Sequence, residues 1–329
     1  MQSNLQKYGW CLAFEGEFQK IVSEKSDLLL GRVTSVHRTN YDVMTESGEI
    51  VCEITGNRLK DKDPYQKPIV GDWVLLEMGE ANNANIIREL LPRNTILERR
   101  KVNASDKQEV QLIAANVDIA VIVQALDQDF SLARIQRTLT QLSGTGIRPM
   151  VVLNKLDLAD DLEQVKKETR HLDPEVPVIF TSLETGHGLS DLEQLFEPGE
   201  TIVFIGSSGV GKSSIINTML DEERQQKTGE ISEYSGKGKH TTTARKLFLL
   251  DNGAIVIDTP GTREFGVTAD AKALDEAFSA IETLAMDCKF RDCKHQSEPG
   301  CALKEAVSDG TVDMKVLENY QSLKGEILK

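Results

Sequence analysis

The chain is 329 residues long, 40% hydrophobic and 27% charged, with a formal net charge of −14. That length has room for two or three domains, and the acidic excess argues against a protein whose whole surface binds nucleic acid. No apolar run is long enough to cross a bilayer, no apolar leader is found, and five cysteines are an odd number for a disulfide framework, so the cytoplasm is the expected compartment.

The acidic excess is unevenly spread. Residues 1–110 carry 15 Lys/Arg against 17 Asp/Glu, and the remainder 23 against 35. Within the first part, residues 28–36, 41–45, 49–54, 72–77 and 85–90 are short apolar runs separated by turn residues such as Ser47-Gly48 and Val70-Gly71. These spacings predict five strands, and five strands in about 65 residues fit a small β-barrel of the OB type. Arg88, Arg93, Arg99, Arg100, Lys101 and Lys107 form a basic run. It reads either as a nucleic-acid-facing strip or as a solvated face.

Residues 111–275 alternate apolar runs with helical stretches such as 132–142 and 162–172, the pattern of a doubly wound parallel sheet. The first motif is Asn154-Lys155-Leu156-Asp157, after the buried run 149–153. Guanine presents ring N1–H and exocyclic N2–H₂ as adjacent donors. One carboxylate, Asp157, can accept both through charge-assisted bonds, whereas adenine would leave it unpaired. Asn154 and Lys155 would brace the loop and cover the base. Thr181-Ser182-Leu183, after the strand-like run 176–180, sits where a backbone N–H would meet guanine O6, with Ser182 the candidate, although a Ser or Thr after a strand is commonplace.

The second motif is a glycine-rich loop, Gly206-Ser207-Ser208-Gly209-Val210-Gly211-Lys212-Ser213, set between a β-branched run at 201–205 and a helical stretch that opens at Ser214 and ends at 220. Strand, loop and helix make the context a phosphate loop requires. Glycines let the backbone approach phosphate, Lys212 would reach the β- and γ-phosphates, and Ser213 would coordinate Mg²⁺. The third motif, Asp258-Thr-Pro-Gly261, ends the run 254–258. Asp258 would hold Mg²⁺ through water, and the Gly261 N–H would sense the γ-phosphate. Between these two motifs, residues 228–243 have a loop's composition. One of Thr241, Thr242 and Thr243 is expected to complete the Mg²⁺ shell, with Thr242 the candidate. Thr262 stands where many GTPases carry a water-orienting glutamine. His240 either supplies that function or is a solvated loop histidine, so intrinsic hydrolysis is expected to be slow. The order of the three motifs is unusual. An ordinary GTPase runs phosphate loop, DxxG, NKxD; here NKxD comes first, which implies circular permutation.

Cys288, Cys293, His295 and Cys301 fall within one polar stretch. Three thiolates and an imidazole form a closed tetrahedral zinc set with no open catalytic position. Helical stretches at 271–285 and 312–328 flank it.

The barrel, the permuted motif order and the zinc stretch together resemble the RsgA (YjeQ/YloQ) family of small-ribosomal-subunit-dependent GTPases. The most specific pieces are Lys239-His-Thr-Thr-Thr243, Asp258-Thr-Pro-Gly-Thr-Arg-Glu-Phe265 and the run Phe290–Cys301. The resemblance implies a cytoplasmic factor that uses GTP/GDP, Mg²⁺ and one structural Zn²⁺. It would bind the small subunit late in assembly, contact rRNA through barrel and zinc module, hydrolyse GTP when stimulated by that particle, and then leave. Thr262 departs from the family pattern, where an apolar residue is usual. The expected layout is a multidomain α/β chain: an OB-fold β-barrel at 1–110, a circularly permuted P-loop GTPase domain at 111–275 and a helical zinc-binding domain at 276–329. It is expected to act as a monomer with no membrane partner. The rival reading is a GTP-regulated RNA-binding module with negligible turnover.

Overall fold

The computed structural model describes residues 3–10, 27–54, 63–79, 83–102, 108–127, 130–170, 172–207, 209–220, 245–258, 284–290 and 298–312, together with residues 281, 293, 295 and 317. A short helix, Asn4–Lys7 (α1), is capped by Ser3 and Gln6 in a reciprocal box. Leu29–Val36 (β1), Tyr41–Thr45 (β2), Gly48–Ile54 (β3), Trp73–Glu77 (β4) and Asn85–Leu90 (β5) follow. β1 pairs antiparallel with β2 and β4, β2 with β3, and β4 with β5, while β3 and β5 run parallel. The five strands therefore close on themselves, within one residue of the expected bounds. Period-two alternation drives this: Tyr41, Val43 and Thr45 are buried while Asp42 and Met44 are half-buried. Val33, Val43, Cys52, Val74, Leu76 and Ile87 fill the interior.

Ile96–Val102 (β6) and Gln108–Ala115 (β7) form a separate antiparallel hairpin, which periodicity did not suggest. The boundary expected at 110/111 falls inside β7. The hairpin and barrel also account for much of the basic run. Arg88 pairs with Glu77 on β4 through two bonds of 2.6 and 2.9 Å. Arg93 grips the fully buried Asp72 at 2.7 and 2.8 Å, and Arg99 reaches Gln111 across the hairpin at 2.9 Å. Of these three arginines only Arg93 has a buried side chain; Arg88 stays exposed in its pair with Glu77, and Arg99 is half-buried. Burial pushes the Asp72 carboxyl up, and the Arg93 fork opposes that shift.

The nucleotide sheet is built from Ile119–Ala125 (β8), Arg148–Asn154 (β9), Val178–Phe180 (β10), Thr201–Ile205 (β11), Lys246–Leu249 (β12) and Ile255–Asp258 (β13), in the order β10-β9-β8-β11-β13-β12. All pairs are parallel except the edge pair β12–β13. Alternate residues of β8 feed opposite cores, Ala120 and Ile122 one and Val121 and Val123 the other. Helices Leu132–Leu142 (α2), Leu162–Thr169 (α3), Leu189–Gln194 (α4) and Lys212–Thr218 (α5) connect the strands. α2 packs Leu132, Ile135 and Leu142 into the first core, and α5 packs Ile215 and Ile216 into the second. The chain runs outward from β8 to β10 and then returns to β11 on the other flank of β8. That reversal is a topological switch point, where open α/β sheets bind ligands outside the carboxyl ends of their strands.

α5 starts at Lys212 rather than Ser214, and α3 ends at Thr169 rather than 172. The helical stretches expected at 271–285 and 312–328 lie almost wholly outside the described residues. Between them Ala302–Ser308 (α6) packs Leu303 and Ala306 on a small core with Ile281, Val312 and Leu317. Among the described residues no helix is long and apolar enough to cross a membrane.

Barrel and sheet are continuous, because Ser35 of β1 bridges Lys246 of β12. Beside this bridge lies Arg32, only 1% exposed. Its guanidinium donates to the carbonyls of Tyr8, Gly71 and Asn116 and to Thr201 Oγ1 at 2.9 Å, and it lies 5.2 Å from the centre of the Trp73 ring. One side chain thus joins the N-terminal segment, the barrel and the start of β11. Burial pulls its pKa down to about 10, with Asp118 and Asp72 pulling the other way.

Candidate functional site

The motif residues singled out in the sequence gather at the carboxyl ends of β9, β11 and β13, with Asp127 after β8 beside them. β11 is buried along its whole length between β8 and β13, so the loop that follows it opens mid-sheet. Two of its glycines have no substitute. A Cβ on Gly206 would lie 2.2 Å from the Val123 carbonyl, and one on Gly211 would lie 2.3 Å from Asn154 Nδ2; both residues have positive φ, +149° and +101°. Lys212 opens α5 and folds back along the loop, its Nζ donating to the carbonyls of Gly206 at 2.8 Å and Ser207 at 2.7 Å. Burial lowers its pKa, and Asp258 opposes that shift. Ser213 and Ser214 follow in the first turn, both exposed, with Gly209 and the buried Val210 preceding them. Asp258 ends β13, next to β11, in the register set by Val203 and Ile257. Ser208, His240, Thr241, Thr242, Thr243, Gly261 and Thr262 lie outside the described residues.

The base-reading motif sits at the end of β9. Asn154 is fully buried, donating from Nδ2 to the Val210 carbonyl at 2.8 Å and accepting at Oδ1 from the Thr181 hydroxyl at 3.0 Å. It therefore pins the phosphate loop to the segment after β10. Lys155 takes the left-handed conformation, φ 61°, and its ammonium pairs with Asp127 at 3.0 Å. Asp157 lies in the 3₁₀ turn Leu156–Leu158 and accepts a hydrogen bond from the Ser182 hydroxyl. The Ser182 N–H is already given to the His187 carbonyl at 3.1 Å. The Ser182 hydroxyl thus holds Asp157, while its own N–H is engaged by the His187 carbonyl. Asp127 was not legible in the sequence because its partner is 28 positions away.

Cys288, Cys293, His295 and Cys301 bring one ligand atom each to within 4.8 Å of one another. His295 Nδ1 lies 3.6 Å from Cys288 Sγ and 3.5 Å from Cys301 Sγ, and those two sulfurs are 3.9 Å apart. A tetrahedron with metal–sulfur bonds of about 2.3 Å has edges of about 3.8 Å, so the donor set fits zinc. Cys301 stands at the N-cap of α6, and a bond from Lys289 N to the Gly300 carbonyl closes the loop behind it. Desolvation and the neighbouring thiols of Cys301 and Cys288 push the Cys293 thiol up to about 11. A divalent ion at the centre would reverse that balance and hold the thiolates.

The family model described as RsgA GTPase matches residues 90–268. The chain belongs to the RsgA GTPase family. Over 98% of its length it is 41% identical to a Bacteroides thetaiotaomicron protein named small ribosomal subunit biogenesis GTPase RsgA 1, covering 90% of that protein. The Listeria innocua relative of the same name is 43% identical over 98% of this chain and 89% of its own. Two solved structures share the fold. YjeQ from Thermotoga maritima matches with a TM-score of 0.64 and 28% identity over 92% of this chain and 99% of its own. YloQ, described as a circularly permuted GTPase, gives 0.61 and 26% over 91% and 95%. The permuted order inferred from three short motifs is thus the order of this RsgA family architecture.

Proposed function

We propose that the protein is a GTP hydrolase that serves as a late assembly factor of the small ribosomal subunit, stimulated by that particle and released after hydrolysis. It is a GTPase of the RsgA family, and its relatives carry names that state small-subunit biogenesis. The observation that carries the reading is that the motifs, in permuted order, begin at the carboxyl ends of β9, β11 and β13, strands of one parallel run. Asn154 of the base-reading motif physically grips Val210 of the phosphate loop.

In this reading Asp157 accepts the guanine N–H pair, Asn154 and Lys155 frame the base, and Ser182 holds Asp157 in place. The loop Gly206–Ser214 cradles the phosphates, and Lys212 swings from the loop carbonyls to the β- and γ-phosphates. Ser213, Asp258 and one threonine of 241–243, Thr242 the candidate, would hold Mg²⁺, which supplies charge neutralisation at those phosphates. Gly261 senses the γ-phosphate, and His240 is the candidate for orienting water. Cys288, Cys293, His295 and Cys301 hold one Zn²⁺ that shapes the C-terminal module.

The layout proposed is an OB-type barrel over 1–110, the GTPase domain over 111–275 and the zinc module over 276–329. Barrel and zinc module are the surfaces assigned to rRNA. The protein is placed in the cytoplasm as a monomer. The test is GTP turnover with and without purified small subunits. Stimulation supports the reading, and turnover indifferent to the particle removes the ribosome from it.

A further inference from the structure

Arg134 occupies the first turn of α2, and its guanidinium donates to the Ser207 hydroxyl of the phosphate loop at 3.3 Å. The side chain is exposed, and among the described residues no carboxylate pairs with it. A guanidinium carries five N–H donors, and among the described residues Arg134 commits one of them, in a long bond to a hydroxyl beside the glycine-rich loop. The position is held from behind. Gln124, buried near the end of β8, donates to the Ser131 carbonyl and accepts from the Ser131 N–H, each at 3.0 Å. Ser131 in turn caps α2, its hydroxyl accepting from the Arg134 N–H at 3.3 Å. β8 and β11 are adjacent parallel strands, paired up to Ile122 and Ile205. The clamp on α2 therefore fixes Arg134 relative to the loop.

On the other side of Ser207 the Lys212 ammonium donates to its carbonyl at 2.7 Å. Two cations thus converge on one loop residue, one on its carbonyl and one on its hydroxyl. Like charges so placed repel, and a phosphate anion between them relieves the repulsion. The base-reading Asn154 binds Val210, three residues further along the loop, while Lys212, read above as the ligand of the β- and γ-phosphates, folds back onto Ser207. In that reading Ser207 lies on the side of the loop that faces the terminal phosphates.

We propose that Arg134 is an in-chain arginine that contacts the terminal phosphoryl oxygens of bound GTP and stabilises the charge that builds there during hydrolysis. In that step the water oxygen bonds to the γ-phosphorus as the bond to the β–γ bridging oxygen breaks. The electron pair leaves on the GDP oxygen, and the water proton ends on inorganic phosphate or solvent. Arg134 takes no proton; it contributes fixed positive charge and forked donors.

The proposal rests on the reading that this loop holds GTP, so the experiment separates the two. Full-length wild type, Arg134→Ala, Arg134→Lys and Lys212→Ala are compared for GDP affinity, for trapping of GDP with aluminium fluoride, and for kcat and KM of GTP turnover with small subunits. Arg134→Ala is expected to keep GDP affinity and KM within about twofold, lose kcat on the order of a hundredfold and fail to trap GDP–aluminium fluoride. Arg134→Lys recovers only part, because a point charge lacks the fork. Wild-type kcat and trapping in Arg134→Ala, alongside loss in Lys212→Ala, overturn the role of Arg134 alone. An equal loss of GDP and GTP binding in Arg134→Ala makes it a prop for the loop and also overturns the proposal. A wild-type protein that binds neither nucleotide overturns the nucleotide reading and this proposal with it.

Discussion

A carboxylate that reads a base gains most when it is held still beforehand, because ordering a side chain on binding costs affinity. Asp157 is held in this way: the Ser182 hydroxyl donates to it while accepting the Thr185 N–H at 3.2 Å. Asp157→Asn turns a double acceptor into an amide that also donates. The variant is expected to lose about 1.5–3 kcal/mol of GTP binding and to gain xanthosine nucleotides, whose ring carries an oxygen in place of the guanine amino group. Titration with both nucleotides checks this, and unchanged GTP affinity would assign base reading to another residue. Asp157, Lys212 and Asn154 could be singled out in the sequence because each lies in a short motif whose spacing is its own signal. Arg32 and Arg134 were not. Their partners Thr201 and Ser207 stand 169 and 73 positions away, and only the folded chain brings them together.

At the scale of elements, the five barrel strands could be read from alternation because one face of each is buried against Val33, Val43 and their neighbours. The β6–β7 hairpin could not, since its charged positions Arg99 and Glu98 mask the period of two. The joint between barrel and sheet hangs on Arg32. Arg32→Ala leaves the Thr201 hydroxyl and the Tyr8 and Asn116 carbonyls to find other partners in a buried gap, and costs about 3–5 kcal/mol. Denaturant unfolding measures it, and a loss under about 0.5 kcal/mol would show that the joint does not depend on this side chain. The Cys288, Cys293, His295 and Cys301 cluster, which could hold zinc, would depend on its ion in a different way. Its small core around Leu303 and Ala306 is too slight to close a loop of polar residues without a staple. Cys293→Ser is therefore expected to lose the metal and loosen residues 286–302 while GDP affinity holds. Metal analysis with hydrogen exchange reads both, and wild-type protein purified without chelator yet free of zinc would remove the site.

At the scale of the whole molecule, permutation changes what the nucleotide is connected to. β12 and β13 lie at the edge of the sheet that meets the barrel, with Lys246 bridged to Ser35. The chain beyond Asp258 leads onward to the zinc cluster instead of returning to the base-reading strands, which precede it. In the proposed reading both rRNA-facing parts are thus attached to the side of the sheet that carries Asp258, the arrangement a particle-sensitive switch needs. The measurement that bears most directly on this account is steady-state GTP turnover by the full chain, alone and with purified small ribosomal subunits, with Lys212→Ala as the control for contaminating activity. The account predicts slow turnover alone, a rise of at least about tenfold with the particle, and none in the variant. A rate that the particle leaves unchanged, or one that survives in Lys212→Ala, would contradict it.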